Sequence, residues 1–126
     1  MTIIAHLQAS LDSARLCEHL FAELSTLIPN LQRNPTKGSC GMWQVGRTRF
    51  AYVYHSKTKS QIEIWCRGDK ADLLLNDPGL GVHGRENPKP GWEESFPARF
   101  CIYQPEQIPV AAKFLKEISF RASTRK

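Results

Sequence analysis

The residues of this chain with the clearest chemical potential are basic side chains around a predicted β-hairpin. They are Arg47, Arg49, Lys57, Lys59 and Arg67. Cations at strand ends and on a turn can contact phosphates together, and aromatic rings on the same strands can stack on bases. The rings available here are Tyr52, Tyr54 and Trp65. The pattern favours nucleic acid or another polyanion as a ligand, although such aromatics can also fill a core and turn lysines can simply keep a hairpin soluble.

The nucleophiles and metal ligands do not form a known catalytic or metal-binding pattern. The cysteines at positions 17, 40, 66 and 101 are too dispersed for the paired spacing of zinc and redox sites. We therefore expect reduced, buried thiols, no metal site and no cofactor. His55 could meet Cys66 or Glu63 across the hairpin, but the chain has no GxSxG element.

Glycines and carboxylates likewise give no enzyme class. Gly79, Gly81 and Gly84 have the GxGxxG spacing but follow a predicted helix, whereas a dinucleotide site requires a preceding strand. Glu93 and Glu94 are neighbours in sequence, so their carboxylates do not face each other as an acid and base pair would. We predict a protein without enzymatic activity.

Two long helices are predicted at the ends of the chain. Apolar residues recur every three or four positions over residues 7–28, and Ser10 could cap this helix before Pro29 ends it. A closing helix is predicted from about Pro109, because proline is tolerated in a first turn. The segment 29–41 is rich in turn residues and predicts a connecting loop, with a short helix near residues 28–33 as an alternative.

The centre of the chain predicts strands. Residues 42–45, 48–55 and 61–67 form a meander, in which Phe50, Tyr52 and Tyr54 are predicted to share one face. Asp69 could cap a short helix over residues 70–75. Residues 76–95 predict an irregular loop, and residues 98–103 a fourth strand.

Composition indicates one globular domain over residues 1–126. The chain has a formal net charge of +5 and 41% hydrophobic residues, within the range of folded domains and far from that of disordered chains. A basic excess of this size favours encounters with polyanions. The first residues lack the charged segment of a secretory signal, and no apolar run approaches the length of a membrane span, so we expect a cytoplasmic protein outside the membrane.

The order of elements resembles that of the YjbR/MmcQ-like family of small bacterial proteins. The resemblance rests on residues 49–51 and 62–64, the short helix 70–75, the strand containing Arg99 and Phe100, and the closing helix with Ala111, Ala112 and Leu115. It implies a double-winged arrangement and DNA binding. No family site carries over residue by residue.

These observations together predict an α+β domain, in which an antiparallel sheet of about four strands is flanked by an N-terminal and a C-terminal helix. The expected function is a non-enzymatic module that binds nucleic acid or another polyanion through the basic hairpin. The alternative is a protein-interaction or homodimerisation domain that uses Trp92, Phe96 and the glycine-rich loop as its contact surface.

Overall fold

A computed structural model describes residues 3–34, 40–56 and 58–124 of the chain and shows an α+β fold. The strands are β1 Leu31–Asn34, β2 Gly41–Val45, β3 Thr48–His55, β4 Ile62–Cys66, β5 His83–Gly84 and β6 Ala98–Ile102. The helices are α1 Ile3–Leu27, α2 Lys70–Leu75, α3 Trp92–Ser95 and α4 Ile108–Thr124. A 3₁₀ turn, Pro105–Gln107, precedes α4. The predicted fold class, an antiparallel sheet flanked by terminal helices, is confirmed.

The sheet has six strands in the order β1-β2-β3-β4-β6-β5, two more than expected. Every neighbouring pair is antiparallel. Strand β1 lies in the segment predicted as a loop, where Leu31 pairs with Val45 at one end and Asn34 with Met42 at the other. Strand β5 has only two residues. Both are edge strands with little apolar alternation, so the sequence carried no period-two signal for them.

The core lies between one face of the sheet and the two long helices. Helices α1 and α4 pack against each other, and both contact β3. The largest fully buried side chains are Trp43, Phe50, Phe100, Leu20, Leu24, Ile62, Ile64, Ile102, Ile108, Leu115, Val53 and Cys66. The opposite face of the sheet carries the half-buried residues of β3, β4 and β6, and Trp92 of α3 packs there.

A β-bulge in β3 corrects one prediction. Trp43 pairs with Ala51 and the next residue, Gln44, pairs with Arg49, so Phe50 is an extra residue with no opposite partner. A bulge of this kind turns two successive residues toward the same side of the sheet. Phe50 and Ala51 are therefore both buried, while Tyr52 lies on the other face. The prediction that Phe50 shares a face with Tyr52 and Tyr54 was wrong.

Two of the predicted helix starts are confirmed and one is wrong. The Asp69 carboxylate accepts a hydrogen bond from the Asp72 amide at 3.2 Å and caps α2. Pro109 lies in the first turn of α4. Helix α1, however, begins at Ile3, so Ser10 lies inside it and does not cap it. The first turns of α1 bury little, which is why the apolar periodicity placed the start too late.

The expectation of four reduced thiols was wrong for Cys17 and Cys40, which the structure joins as a disulfide. Their Cα atoms are 6.5 Å apart, within the range that a disulfide spans. Sequence spacing could not indicate this pair, because α1 and the start of β2 meet only in the folded chain. Cys66 and Cys101 are free.

We expect unreduced, denatured protein to take up two equivalents of iodoacetamide, at Cys66 and Cys101, and four after reduction, because a disulfide blocks alkylation. Peptide mass spectrometry of the alkylated chain measures this directly. Uptake at all four cysteines without reductant would show that Cys17 and Cys40 are not bonded in the isolated protein.

The loop after α2 is organised by one carboxylate. Asp77 accepts four backbone N–H hydrogen bonds, from residues 79 and 80 at 3.1 and 2.7 Å and from residues 81 and 82 at 3.1 and 2.9 Å. Gly79 and Gly81 adopt φ of +96° and +75°, which side chains with a Cβ rarely allow. The carboxylate thus fixes the chain path that leads to β5 and then to the loop before α3.

We expect Asp77→Ala to lower the free energy of unfolding by about 2 kcal/mol, because it removes the acceptor of charge-assisted hydrogen bonds. Asp77→Asn retains one carbonyl oxygen and should cost less. Urea unfolding of the two variants beside Glu86→Ala, an exposed acidic residue just after β5, measures the difference. Equal stability of all three would show that this loop does not depend on Asp77.

Candidate nucleic-acid interface

An aromatic cluster lies on the face of the sheet opposite α1 and α4. Tyr52 of β3 pairs with Trp65 of β4, which in turn pairs with Arg99 of β6, so these side chains stand in one row across three strands. Trp92 of α3 rests on the row, with its ring centroid 5.9 Å from that of Tyr52 and 6.3 Å from that of Trp65. Trp92 remains 46% exposed. The face therefore presents the Trp92 ring to solvent, while Tyr52 and Trp65 beneath it are half-buried.

Arg85 occupies the inner side of this cluster. Its guanidinium carbon lies 3.9 Å from the ring centroid of Trp65 and 5.0 Å from that of Trp92. The Glu93 carboxylate forms an ion pair with Nη1 of Arg85 at 3.0 Å. Nε and Nη2 of Arg85 are buried with no hydrogen-bond partner among the described residues. Stacking on the indoles compensates part of that desolvation. Arg85 thus fastens the loop to the sheet through Trp65.

Three of the predicted basic residues lie where β3 begins and β4 ends, and Arg67 also borders the groove between α2 and α4. Arg47 lies in the turn before β3, Arg49 is the second residue of β3, and Arg67 follows β4. Arg67 donates from Nη1 to the Arg49 carbonyl oxygen at 3.4 Å. All three side chains are exposed, and none forms an ion pair with another described residue. We refer to Arg47, Arg49 and Arg67 as the arginine end.

The remaining predicted cations are not part of that group. Lys59 lies in the turn between β3 and β4, next to the pair formed by His55 and Ile62. The six residue-to-residue steps from Arg49 to His55 span roughly 20 Å at the rise of a strand. Lys57 lies outside the described residues. The hairpin therefore separates its basic residues between two ends instead of gathering all five.

The turn at the far end is attached to α1. Ser13 is fully buried; its hydroxyl lies 2.7 Å from the Lys59 carbonyl oxygen and accepts from the Gln61 amide at 3.3 Å. Ser60 donates to the Asp12 carboxylate at 3.0 Å. These contacts hold the backbone of the turn and leave the Lys59 side chain exposed.

Sequence reasoning missed the two arginines at the aromatic cluster. Arg99 donates to the Glu63 carboxylate at 2.7 Å and lies 5.4 Å from the Trp65 ring centroid. Its position could have been found, because burial of Ala98, Phe100 and Ile102 leaves Arg99 on the other face. Arg85 carried no such signal, since it belongs to an irregular segment.

The thiols and ring nitrogens nearby are not arranged for nucleophilic chemistry. His55 pairs with Ile62, whereas Cys66 pairs with Ala51 four residues away along β3, so the predicted meeting of His55 and Cys66 does not occur. Burial raises the pKa of the Cys66 thiol. Partial burial, and to a lesser extent the Glu63 carboxylate, raises the pKa of Cys101, so both thiols stay protonated at neutral pH.

A cavity of about 640 Å³ lies between α2 and α4. Leu73, Phe114 and Ile118 form part of its apolar floor. Its rim carries three cationic and three acidic residues, namely Arg67, Lys113, Arg121, Asp69, Asp72 and Glu117. These charges balance, so the groove does not select a ligand by sign. A smaller cavity of about 280 Å³ lies beside the turn that holds Lys59.

No family model, curated protein or solved structure matches this chain. The YjbR/MmcQ-like assignment therefore stays a prediction. Within residues 3–34, 40–56 and 58–124, no three His, Cys, Asp or Glu side chains come together as a metal site. In the same part of the chain, no helix has both the length and the apolarity needed to cross a bilayer.

Proposed function

We propose that this chain is a non-enzymatic module that binds nucleic acid, and that the arginine end is its main contact with the phosphate backbone. The observation that carries the proposal is the position of three exposed arginines, without ion-pair partners among the described residues, beside an exposed aromatic face. Arginine suits this task because its planar guanidinium binds phosphate oxygens in pairs.

The other arginines near the aromatic cluster differ from those of the arginine end in having acidic partners. Arg85 and Arg99 are each paired with a glutamate, so their charge is largely neutralised within the protein. Arg47, Arg49 and Arg67 form no ion pair among the described residues, although Arg67 also borders the groove that contains Asp69 and Asp72. With a net charge of +5, the protein is also attracted to polyanions at long range. Membership of the YjbR/MmcQ-like family belongs to this proposal. So does a cytoplasmic location, where the Cys17–Cys40 pair would be kept reduced.

The proposal is tested by the salt dependence of binding. Three phosphate contacts on duplex DNA should give a slope of about −2.7 in a plot of log K against log salt concentration, because each neutralised phosphate releases counterions. The expected affinity is on the order of 10⁻⁴ to 10⁻⁶ M at physiological salt. Fluorescence anisotropy with a labelled duplex at several salt concentrations measures both quantities.

A slope near zero, or no binding even at low salt, would refute the proposal. Binding with the expected slope to heparin but not to DNA of similar charge would leave polyanion binding in place and remove the preference for nucleic acid.

A second candidate function, self-association, is favoured by the start of α1. Ile3, Ile4, Leu7 and Leu11 lie along one side of this helix and are 78, 78, 60 and 55% exposed. Two copies could bury these stripes against each other in a symmetric pair. Sedimentation velocity of the wild type and of Leu7→Glu would detect it, because a buried glutamate disfavours such a dimer.

The surface expected for this alternative from the sequence is only partly present. Trp92 is exposed, but Phe96 is 3% exposed and packs beneath the Trp92 ring at 6.1 Å between centroids. Phe96 therefore supports the loop and is not available to a partner.

A further inference from the structure

We infer that the face of the sheet opposite α1 and α4 binds single-stranded nucleic acid, with an unpaired base stacked on Trp92. This inference rests on the proposed function and specifies its ligand. It concerns the aromatic cluster, whereas the proposed function rests on the arginine end.

The first step is the state of the Trp92 ring. Arg85 lies over the indole on the side of Trp65, 5.0 Å from the ring centroid, and holds that side against the protein. The residue is nonetheless 46% exposed. Trp65 and Tyr52 contact it from the sheet, so its position is fixed before any ligand arrives. A large aromatic ring that is fixed from beneath and open to solvent is suited to base stacking.

The second step is the distance to the phosphate contacts. Arg49 pairs with Gln44, and the next pair that reaches this face joins Tyr52 with Met42, so Arg49 and Tyr52 are neighbours along β3 on the same face. A strand with its phosphates at the arginine end can therefore place a base over the cluster. Arg85 and Glu93 form a closed ion pair beneath it and do not repel an anionic backbone.

The third step separates single strands from duplexes. In a duplex the faces of the bases are stacked on one another and are inaccessible to a protein ring, whereas unpaired bases can be turned out and stacked on aromatic side chains. A duplex can reach only the arginines, while a single strand can use both the arginines and Trp92. The face thus gives single strands a contact that duplexes lack.

Three labelled ligands of equal length test this inference by fluorescence anisotropy: a thymidine single strand, the corresponding duplex, and a single strand whose residues are abasic. The abasic strand keeps the phosphates but has no bases. We expect the thymidine strand to bind roughly five- to 150-fold more tightly than the abasic strand, the range for one stacked base. Quenching of tryptophan fluorescence should accompany binding of the thymidine strand only.

The variants Trp92→Ala and Trp92→Phe identify the ring responsible. Trp92→Ala should bind the thymidine and abasic strands equally, while its affinity for the duplex stays within about twofold of wild type. Trp92→Phe should recover most of the preference because a phenyl ring still stacks. If Trp92→Ala fails to fold, the affinities of the wild type and of Trp92→Phe for the three ligands still show whether a base stacks on the ring at position 92.

The outcomes separate the two proposals. If the thymidine and abasic strands bind the wild type equally, the stacking inference is refuted and backbone binding stands. If the preference persists in folded Trp92→Ala, the base stacks elsewhere and the inference is likewise wrong. If none of the three ligands binds at low salt, the proposed function fails together with the inference.

Discussion

Leu20→Ala is expected to lower the free energy of unfolding by about 2–5 kcal/mol, the range for removing a leucine side chain from a packed core. Leu20 is fully buried in α1, where the helix faces the sheet and α4. The surrounding core includes Trp43 and Leu24, which are also fully buried, and such residues relax only partly into the space a smaller side chain leaves. Urea or guanidinium unfolding measures the loss.

Leu11→Ala on the same helix is the matched control. Leu11 is 55% exposed, so the same chemical change should cost less than about 0.5 kcal/mol, as for an ordinary surface substitution. The slope of free energy against denaturant should stay the same for both variants, since neither changes the surface exposed on unfolding. Equal losses at the two positions would show that the buried stripe of α1 is not where the structure places it.

The positions of Leu20 and Leu24 show what the sequence could reveal about the fold. Their spacing in a 3.6-residue period identifies the buried side of a helix, and the alternation of Ile62, Ile64 and Cys66 identifies the buried face of β4. Both patterns arise because one side of a regular element faces the core. They predicted α1, α4 and the central strands, and the structure confirms these elements, whereas α3 and β5 lie in the segment 76–95 that was predicted as an irregular loop.

The failures have an equally specific cause. Strand β1 buries too few apolar side chains to produce an alternating pattern in the sequence. The bulge at Phe50 depends on how β2 and β3 pair, which the periodicity of one strand does not record. The path of the loop before α3 depends on the hydrogen bonds of Asp77 and on the stacking of Arg85 between Trp65 and Trp92. The contact of Arg85 with Trp65 joins residues that are distant in sequence, so no local pattern records it. The hydrogen bonds of Asp77 are local, but they shape an irregular segment that has no periodicity.

The candidate site was predictable in its residue types but not in its geometry. Residues 47–67 are close in sequence, which made the five cations look like one patch. The length of β3, however, places Lys59 at the opposite end of the hairpin from Arg49 and Arg67. Residues that are close in sequence lie far apart in space when an extended strand connects them. This separation makes the contribution of each end measurable.

Reversing the charge of the arginine end is expected to have the largest effect on nucleic-acid binding. Arg49→Glu with Arg67→Glu changes the net charge from +5 to +1, since each substitution removes two charge units. The loss of two phosphate contacts should lower the magnitude of the salt slope by about two, and the new carboxylates should repel the backbone. We expect affinity for the duplex to fall at least about tenfold at low salt. Anisotropy at several salt concentrations measures both changes.

Two further double variants carry the same change in net charge and serve as controls. Lys57→Glu with Lys59→Glu reverses the charge of the turn between β3 and β4, and Arg15→Glu with Lys116→Glu reverses exposed positions on α1 and α4, away from the arginine end. Thermal unfolding should be nearly unchanged in all three, because exposed charges contribute little to stability. If the ligand runs the length of the hairpin, the affinity of the turn variant for the duplex should lie between the affinities of the other two variants. Equal weakening by all three would mean that binding follows net charge alone and that the arginine end is not a site.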